Sequence, residues 1–339
     1  MKVSILGTGA YGLALSLAFH RNKCEVTLWT KIKEEYEMIK HDRCNKIVLP
    51  DYKIQDDIRI TMSMEEAVKD SELIILATPI KFADDTIKEV AKYYNKKKQI
   101  ICIACKGIMQ GSNEFAYDIV RKYIKTRKTV VISGGTFAVD MIEEQPMGLT
   151  VASFSLKDRK LVKKALENEL LRIDTTSDVM GVEMCGAIKN VIAIASGMID
   201  GMNYTDSTKS MFMTKILCDL EKMISYFDGC EDTVKTYAGI GDLLLTCNSL
   251  NSRNYTLGLM YGRGDKKDAI DKYKNTTTIE GLYTLKSIYS LFNEKNYKMK
   301  IVEILYDILY NDGDIKSIDI FLRNHDDKDE NCSLINLFR

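Results

Sequence analysis

Residues 2–6 form a short β-rich run, followed at once by Gly7-Thr8-Gly9-Ala10-Tyr11-Gly12 and then by a helical stretch, 13–20. Strand, glycine turn and helix, in that order, is the setting in which G-x-G-x-x-G binds a dinucleotide. The first glycine permits the tight turn, the second lets a pyrophosphate approach the backbone, and the third lets the helix pack on the strand. The pyrophosphate then meets N–H groups at the helix N-terminus. Gly7, Gly9, Ala10, Tyr11 and Gly12 are therefore expected to hold a cofactor, NAD or NADP.

Residues 24–29 read as the second strand. An NAD site usually places an acid at the end of such a strand, on the ribose 2′-hydroxyl. Thr30-Lys31 stands there instead, and Glu34 and Glu35 follow on a helix. A 2′-phosphate meets no repulsion from that dipeptide and some attraction from Lys31, so NADP fits as well as NAD. Alternatively, Lys31 is a solvated residue at a helix start. Further strands are expected at 58–61, 73–77, 99–104, 129–132, 148–153 and 171–175, with a helix at 83–94 and a loop at 41–50. The run at 73–77 is continuously apolar, as in a central parallel strand, and ends in Thr78-Pro79. Lys106, just past the strand at 99–104, is expected in the ligand crevice at the strands' C-terminal ends. Gly134 and Thr136, in the turn Ser133-Gly134-Gly135-Thr136-Phe137-Ala138, suit an anion or a close backbone approach. Alternation of strand and helix predicts a doubly wound, Rossmann-like α/β sheet over residues 1–180.

A chain of 339 residues is long for one core, and a second domain is the natural expectation. Past residue 179 the strand signal fades. Helices are expected at 181–202, 208–227, 231–240, 252–261, 279–292 and 299–312, giving an all-α domain over 181–323 and a polar tail at 324–339. Residues 181–197 are apolar nearly all round, so that helix should be buried. It carries Lys189 and Asn190. A buried lysine needs a partner or a lowered pKa, and a lowered pKa suits it to proton transfer; a core lysine that snorkels to water is the plain alternative. Gly186, Asn190, Ala193 and Gly197 form a stripe of small side chains at three- to four-residue steps, on which another surface can lie close. Ser252 suits a helix N-cap. Arg253 then sits in the first turn, where a cation is disfavoured unless an anion such as phosphate joins it.

Composition narrows the function. The 48 basic and 48 acidic residues cancel, which gives no support to a nucleic-acid or membrane surface. No run of about 18 apolar residues is seen to span a bilayer, and no signal peptide is apparent. Nine scattered cysteines suit a reducing cytoplasm. Cys102 and Cys105 fall in a strand-like run, with neither a second pair nor a nearby histidine, and are read as core residues rather than metal ligands. The three histidines give little support to histidine catalysis.

Taken as a set, these motifs resemble the NAD(P)-dependent glycerol-3-phosphate dehydrogenases, from the first strand to about residue 320. The set comprises Gly7-x-Gly9-x-x-Gly12, Lys106-Gly107, the Ser133-Gly134 turn into Phe137-Ala138, and Gly186-Ala187-Ile188-Lys189-Asn190. It continues with Gly239-x-Gly241-Asp242-Leu243, Thr246-Cys247, Ser252-Arg253-Asn254 and Glu280-Gly281. The resemblance implies reversible reduction of dihydroxyacetone phosphate to sn-glycerol 3-phosphate, in support of phospholipid synthesis or redox shuttling, by a homodimer. Lys189 matches the family's proton donor and acceptor, with Asn190 beside it. Lys106, Asp242 and Thr246 match residues around the reacting centre, and Ser252, Arg253 and Asn254 match the substrate phosphate site, Arg253 also lying near the cofactor. Ala138 and Glu280 match cofactor contacts, and Thr278 is grouped with them. Three departures stand out. Gly135 replaces the proline of the family's turn, which is expected to loosen it. Thr214-Lys215-Ile216 replaces Thr-Arg-Gly, and Val48 replaces the tyrosine of Tyr-Leu-Pro. Other readings are a different β-hydroxyacid-type dehydrogenase of similar plan, or a nonenzymatic NAD(P)H sensor.

Overall fold

In a computed structural model, residues 1–324 are described; beyond Asn324 the expected polar tail lies outside them. The chain divides into two compact units. Among these residues, one unit comprises 1–187 with 235–245, and the other 188–234 with 246–324. The division falls inside one continuous helix, Val179–Gly201.

The first unit is built on eight strands: β1 Lys2–Leu6, β2 Glu25–Trp29, β3 Arg59–Thr61, β4 Leu73–Leu76, β5 Ile100–Ile103, β6 Thr129–Ser133, β7 Met147–Ala152 and β8 Leu171–Thr176. Their order is β3-β2-β1-β4-β5-β6-β7-β8. Pairing is parallel throughout except between β6 and β7. Alternation alone suggests a parallel continuation there; instead β7 runs back along β6, joined to it through the short helix Ala138–Ile142. Every residue of β4, β5 and β6 is buried, as expected for strands with both faces covered. Chain order reverses between β1 and β4, and the mouth of such a switch point, at the strands' C-terminal ends, is where an open α/β sheet binds its ligand. There Gly7 follows β1 with φ 127°, a value open to glycine and strained for other residues. A Cβ at Gly12 would fall on the Gly7 carbonyl oxygen, so the helix Ala10–Arg21 can start this close to β1 only with glycine there.

The stretch 231–240, expected as one helix, is broken. A 3₁₀ turn at Glu231–Lys235 leads into a wide turn at Tyr237–Gly241, where Gly239 leaves helical geometry at φ −87°, ψ −105°; a helix resumes at Asp242–Cys247. Two residues of β7 explain the break, one by a hydrogen bond and one by a close approach. Thr150 Oγ1 accepts the Ala238 N–H at 3.1 Å, and the Tyr237 ring lies against Gly148, where a side chain would collide with it. The segment is thus moulded on the sheet rather than on a helical neighbour.

The second unit is helical. Its helices are Asp206–Tyr226, Arg253–Arg263, Lys267–Thr276, Glu280–Glu294, Lys300–Tyr310 and Lys316–Arg323, together with the C-terminal part of Val179–Gly201. The two helices Lys267–Thr276 and Lys316–Arg323 go beyond the expected set. By length and composition Val179–Gly201 could cross a bilayer, contrary to the expectation that no such stretch exists. It is a core helix, 94% of its apolar window being buried. The small stripe on it continues to Gly201 and meets a second one. A Cβ on Gly197 would fall on the Tyr255 carbonyl, and one on Gly201 would come within 2.5 Å of the Leu259 carbonyl oxygen. In return, Gly258 faces the Ile194 carbonyl and Gly262 the Met198 carbonyl just as closely. The two backbones touch, and no side chain fits between them. Gly258→Ala is expected to destabilise this unit by about 1–3 kcal/mol through overpacking, read as a lowered denaturation midpoint; an unchanged midpoint would mean that the helices separate freely.

Candidate active site

In the first unit, the cofactor turn has the features a dinucleotide needs. Gly7 makes the turn and Gly12 allows the helix to approach. Around Gly9 a Cβ would meet nothing within 4 Å, so the space in front of that backbone is open to a ligand. No side chain caps the helix Ala10–Arg21, leaving its N-terminal dipole for an anion. Thr78 Oγ1, at the end of β4, is buried with no hydrogen-bond partner among the described residues, an acceptor and donor available to a ligand at the switch point. Thr136 Oγ1 lies 3.4 Å from the Tyr11 hydroxyl, which brings the turn after β6 to the glycine turn. Ala138 opens the helix that follows. On the evidence of Gly9, the uncapped helix and Thr78, these residues fit NAD or NADP.

The acid missing from the end of β2 is supplied from elsewhere. Glu35, in the first turn of the helix Lys33–Asp42, accepts hydrogen bonds from Thr30 Oγ1 at 3.0 Å and from Thr8 Oγ1. Its carboxylate therefore stands between the C-terminal ends of β1 and β2, while Lys31 is exposed. A carboxylate thus stands beside the Thr30-Lys31 dipeptide at this end of the sheet. The missed signal was the helix start: a strand ending at Trp29 and a helix beginning at Lys33 turn the chain back, so a first-turn acid faces the strand ends.

The same unit holds the first pair of chemical groups. Lys106 Nζ donates to Asp242 Oδ2 at 2.5 Å and to the Gly134 carbonyl at 3.3 Å. The Asp242 side chain is 1% exposed and that of Lys106 16%. A buried carboxylate needs such a partner, and the pair ties the turn after β5 to the segment 235–245. Gly135 sits against Gly241, a Cβ there coming 2.7 Å from the Gly241 oxygen and 3.3 Å from Asp242 Cα. The glycine is therefore fixed by a close approach, where a looser turn was expected.

The second unit holds the other groups. Lys189 is half-buried, and its Nζ donates to Thr246 Oγ1 at 3.2 Å. Asn190 is 5% exposed and is held at both ends of its amide. Its Nδ2 donates to Glu280 Oε2 at 3.3 Å, and its Oδ1 accepts from Asn254 Nδ2 at 3.0 Å. Asn254 Oδ1 in turn accepts the Gly281 N–H at 2.8 Å, so this side chain braces the site from within. Ser252 caps Arg253–Arg263 as expected, its Oγ accepting the Tyr255 N–H at 3.3 Å. Arg253 is exposed in a first turn without acids, and its Nη1 donates to the Thr278 carbonyl at 3.2 Å. Of the family departures, Ile216 is fully buried, and Lys215 lies over the Phe321 ring at 4.4 Å.

A doubly wound sheet with an open glycine turn at its switch point defines a dinucleotide-binding protein. Two family profiles carry this further. The N-terminal profile of NAD-dependent glycerol-3-phosphate dehydrogenase matches residues 2–160, and the C-terminal profile matches residues 178–318. A glycerol-3-phosphate dehydrogenase (NAD(P)+) of Staphylococcus epidermidis is 32% identical over 333 residues, 97% of this chain and 99% of the relative. Another, of Agathobacter rectalis, is 32% identical over 98% of both chains. The crystal structure of a Coxiella burnetii glycerol-3-phosphate dehydrogenase superposes with a TM-score of 0.89 at 26% identity, over 95% of this chain and 99% of that one. The chain belongs to the NAD-dependent glycerol-3-phosphate dehydrogenase family. It is an enzyme, and its cofactor is NAD or NADP.

Glu35→Gln removes the charge between the ends of β1 and β2 and keeps a hydrogen-bonding group. It is expected to raise kcat/KM with NADPH relative to NADH by at least about tenfold, or about 1.4 kcal/mol, in steady-state assays with both cofactors. An unchanged ratio would mean that the carboxylate lies away from the 2′ position.

Proposed function

We propose that the chain interconverts dihydroxyacetone phosphate and sn-glycerol 3-phosphate and supplies the latter for phospholipid synthesis. The observation that carries the site assignment is the Asn190–Asn254 hydrogen bond. It joins the neighbour of Lys189 to the neighbour of Arg253, and so fixes the proton-handling lysine relative to the anion-binding arginine. The bound nicotinamide supplies or accepts the hydride.

Lys189 gives the proton to the oxygen of the reduced carbonyl and takes it back in the reverse direction. Thr246 orients the Lys189 amine. An ammonium has three donors; Lys106 places two on Asp242 and the Gly134 carbonyl, and the third serves the developing negative charge on the substrate oxygen. The second Asn190 N–H has the same role. Arg253 and the N-terminus of its helix bind the phosphate, so that binding energy remote from the carbonyl positions it for reaction. Ser252 supports this as the cap, and Asn254 as the brace. Glu280 holds Asn190 and the Thr278 carbonyl holds Arg253, and both are assigned to the cofactor on the family resemblance. We place the enzyme in the cytoplasm, on its scattered cysteines, and assign it a homodimeric state on the family resemblance alone; sedimentation of the intact chain tests the latter.

Mixing the chain with dihydroxyacetone phosphate and NADPH or NADH, and following the nicotinamide absorbance, tests the activity. A different β-hydroxyacid dehydrogenase or a nonenzymatic sensor would leave it unchanged. Arg253→Ala is expected to raise KM for dihydroxyacetone phosphate and to lower kcat/KM by an amount worth roughly 2–4 kcal/mol; wild-type kinetics would make Arg253 a solvated residue. Lys189→Met keeps the chain length and apolar packing but removes the proton. It should bind cofactor normally by fluorescence, while turnover falls by roughly 10² to 10⁴. Turnover within about threefold of wild type, with binding intact, would reduce Lys189 to a structural role.

A further inference from the structure

Glu183 is a buried acid of the first unit that takes no part in the reaction as described. It lies on Val179–Gly201, in the turn before Gly186. One carboxyl oxygen, Oε1, accepts the Tyr117 N–H at 3.0 Å, in the first turn of the helix Ala116–Ile124. The other, Oε2, is buried and has no hydrogen-bond partner among the described residues. Ser133 Oγ, at the end of β6, is in the same condition. Both residues line one cavity of about 10 Å³, whose wall also includes Cys105, Lys106, Gly107 and Gly186. A polar space of that size holds a single water. Gly186 keeps it open: a Cβ there would lie 3.3 Å from Ser133 Oγ and 3.6 Å from Lys106 Cγ. Two unpaired polar atoms and the turn bearing Lys106 therefore share one small space.

We propose that Glu183 is a positioning residue for Lys106: as a neutral acid it donates from Oε2 to one water shared with Ser133 Oγ, and this bridge holds the Cys105–Gly107 turn in place. The role in turnover rests on Lys106 acting at the reacting centre, as proposed above. A carboxylate could only accept in this space, and a buried charge there would lack a counterion, since Lys106 is committed to Asp242. Among the described residues, the ionisable groups near Glu183 are Asp118 on Ala116–Ile124, and Cys105 and Lys106, which line the same cavity from the turn after β5. Burial pushes the Glu183 carboxyl from an ordinary 4.5 up to about 8, the Tyr117 N–H opposing and the Asp118 charge reinforcing the rise. Between those values the folded chain keeps a proton that the unfolded chain has lost, so this group makes stability fall as pH rises through the window.

Two replacements and one partner variant test the assignment in the full chain. Glu183→Gln keeps a donor and an acceptor without a charge. Its kcat at pH 7 should stay within threefold of wild type, and its melting temperature should fall less than that of wild type between pH 5 and pH 8. Glu183→Leu should lower kcat at least tenfold with cofactor KM unchanged. Ser133→Ala, which removes the other anchor of the bridge and disturbs little packing, should lower kcat severalfold, and it decides the point should the leucine variant fail to fold. Parallel melting losses in wild type and Glu183→Gln would overturn the neutral acid; undiminished kcat in Ser133→Ala or in folded Glu183→Leu would overturn the bridge. If Lys106→Met retains turnover, it is the reading of Lys106 that fails, and the melting comparison still reports on the Glu183 proton.

Discussion

The geometry of the helical unit depends on a place where two backbones touch. Along Val179–Gly201 and Arg253–Arg263, glycines face carbonyl oxygens at distances no side chain permits. Such contact fixes spacing and rotation together, because any slip would drive a Cβ into a carbonyl. The polar network inherits that precision. Asn254 reaches Asn190 and the Gly281 N–H only because its helix lies so near, and Gly281 is itself confined, a Cβ there coming 2.6 Å from Asn254 Oδ1 and 2.7 Å from the Asn190 carbonyl. Apolar packing of larger residues would stabilise as much but leave the amides with room to turn. Held at both ends, Asn190 loses little freedom when a ligand arrives, and an ordered donor is what electrostatic stabilisation of a transient charge requires.

The sheet unit reaches comparable order by different means. Asp242 is carried by a segment remote in sequence from Lys106, and the segment is seated on β7 by Tyr237 against Gly148 and by Ala238 on Thr150. The antiparallel placement of β7 matters here, since it presents Thr150 beside Ser133 at the end of β6 that bears the turn. One short ion pair then closes the arrangement. Its aspartate is almost fully buried, so the lysine cannot leave without stranding a charge.

Much of this was legible in the sequence, where a residue's meaning is local. The glycine turn requires a strand before it and a helix after it, and both are neighbours in the chain. The Ser252 cap is a contact over three residues, and the burial of the Lys189 helix follows from its unbroken apolar surface. What escaped notice depends on the return of the chain. Glu35 comes after the strand it serves, and only the tight entry into Lys33–Asp42 brings it back to Thr8 and Thr30. The break at Gly239 is set by β7, about ninety positions earlier. Glu183 was hidden by its own surroundings: among apolar neighbours attention goes to the lysine six residues on, although an acid in such a helix is just as exceptional.

Gly135 bears on how this chain can change. A Cβ at this position would run into the Gly241 carbonyl, with the Asp242 backbone immediately behind it. The proline that the family carries in this turn would need space that the 239–241 bend now fills. The constraint is one-sided: position 135 can acquire a side chain only if the 239–241 bend gives way, whereas a Cβ at Gly241 would meet only ordinary contacts with Thr236 and Tyr237. Restoring the commoner family residue at 135, the usual route to a sturdier protein, would here press on the residue that holds Lys106, so borrowing from relatives at this position calls for both loops to be exchanged together.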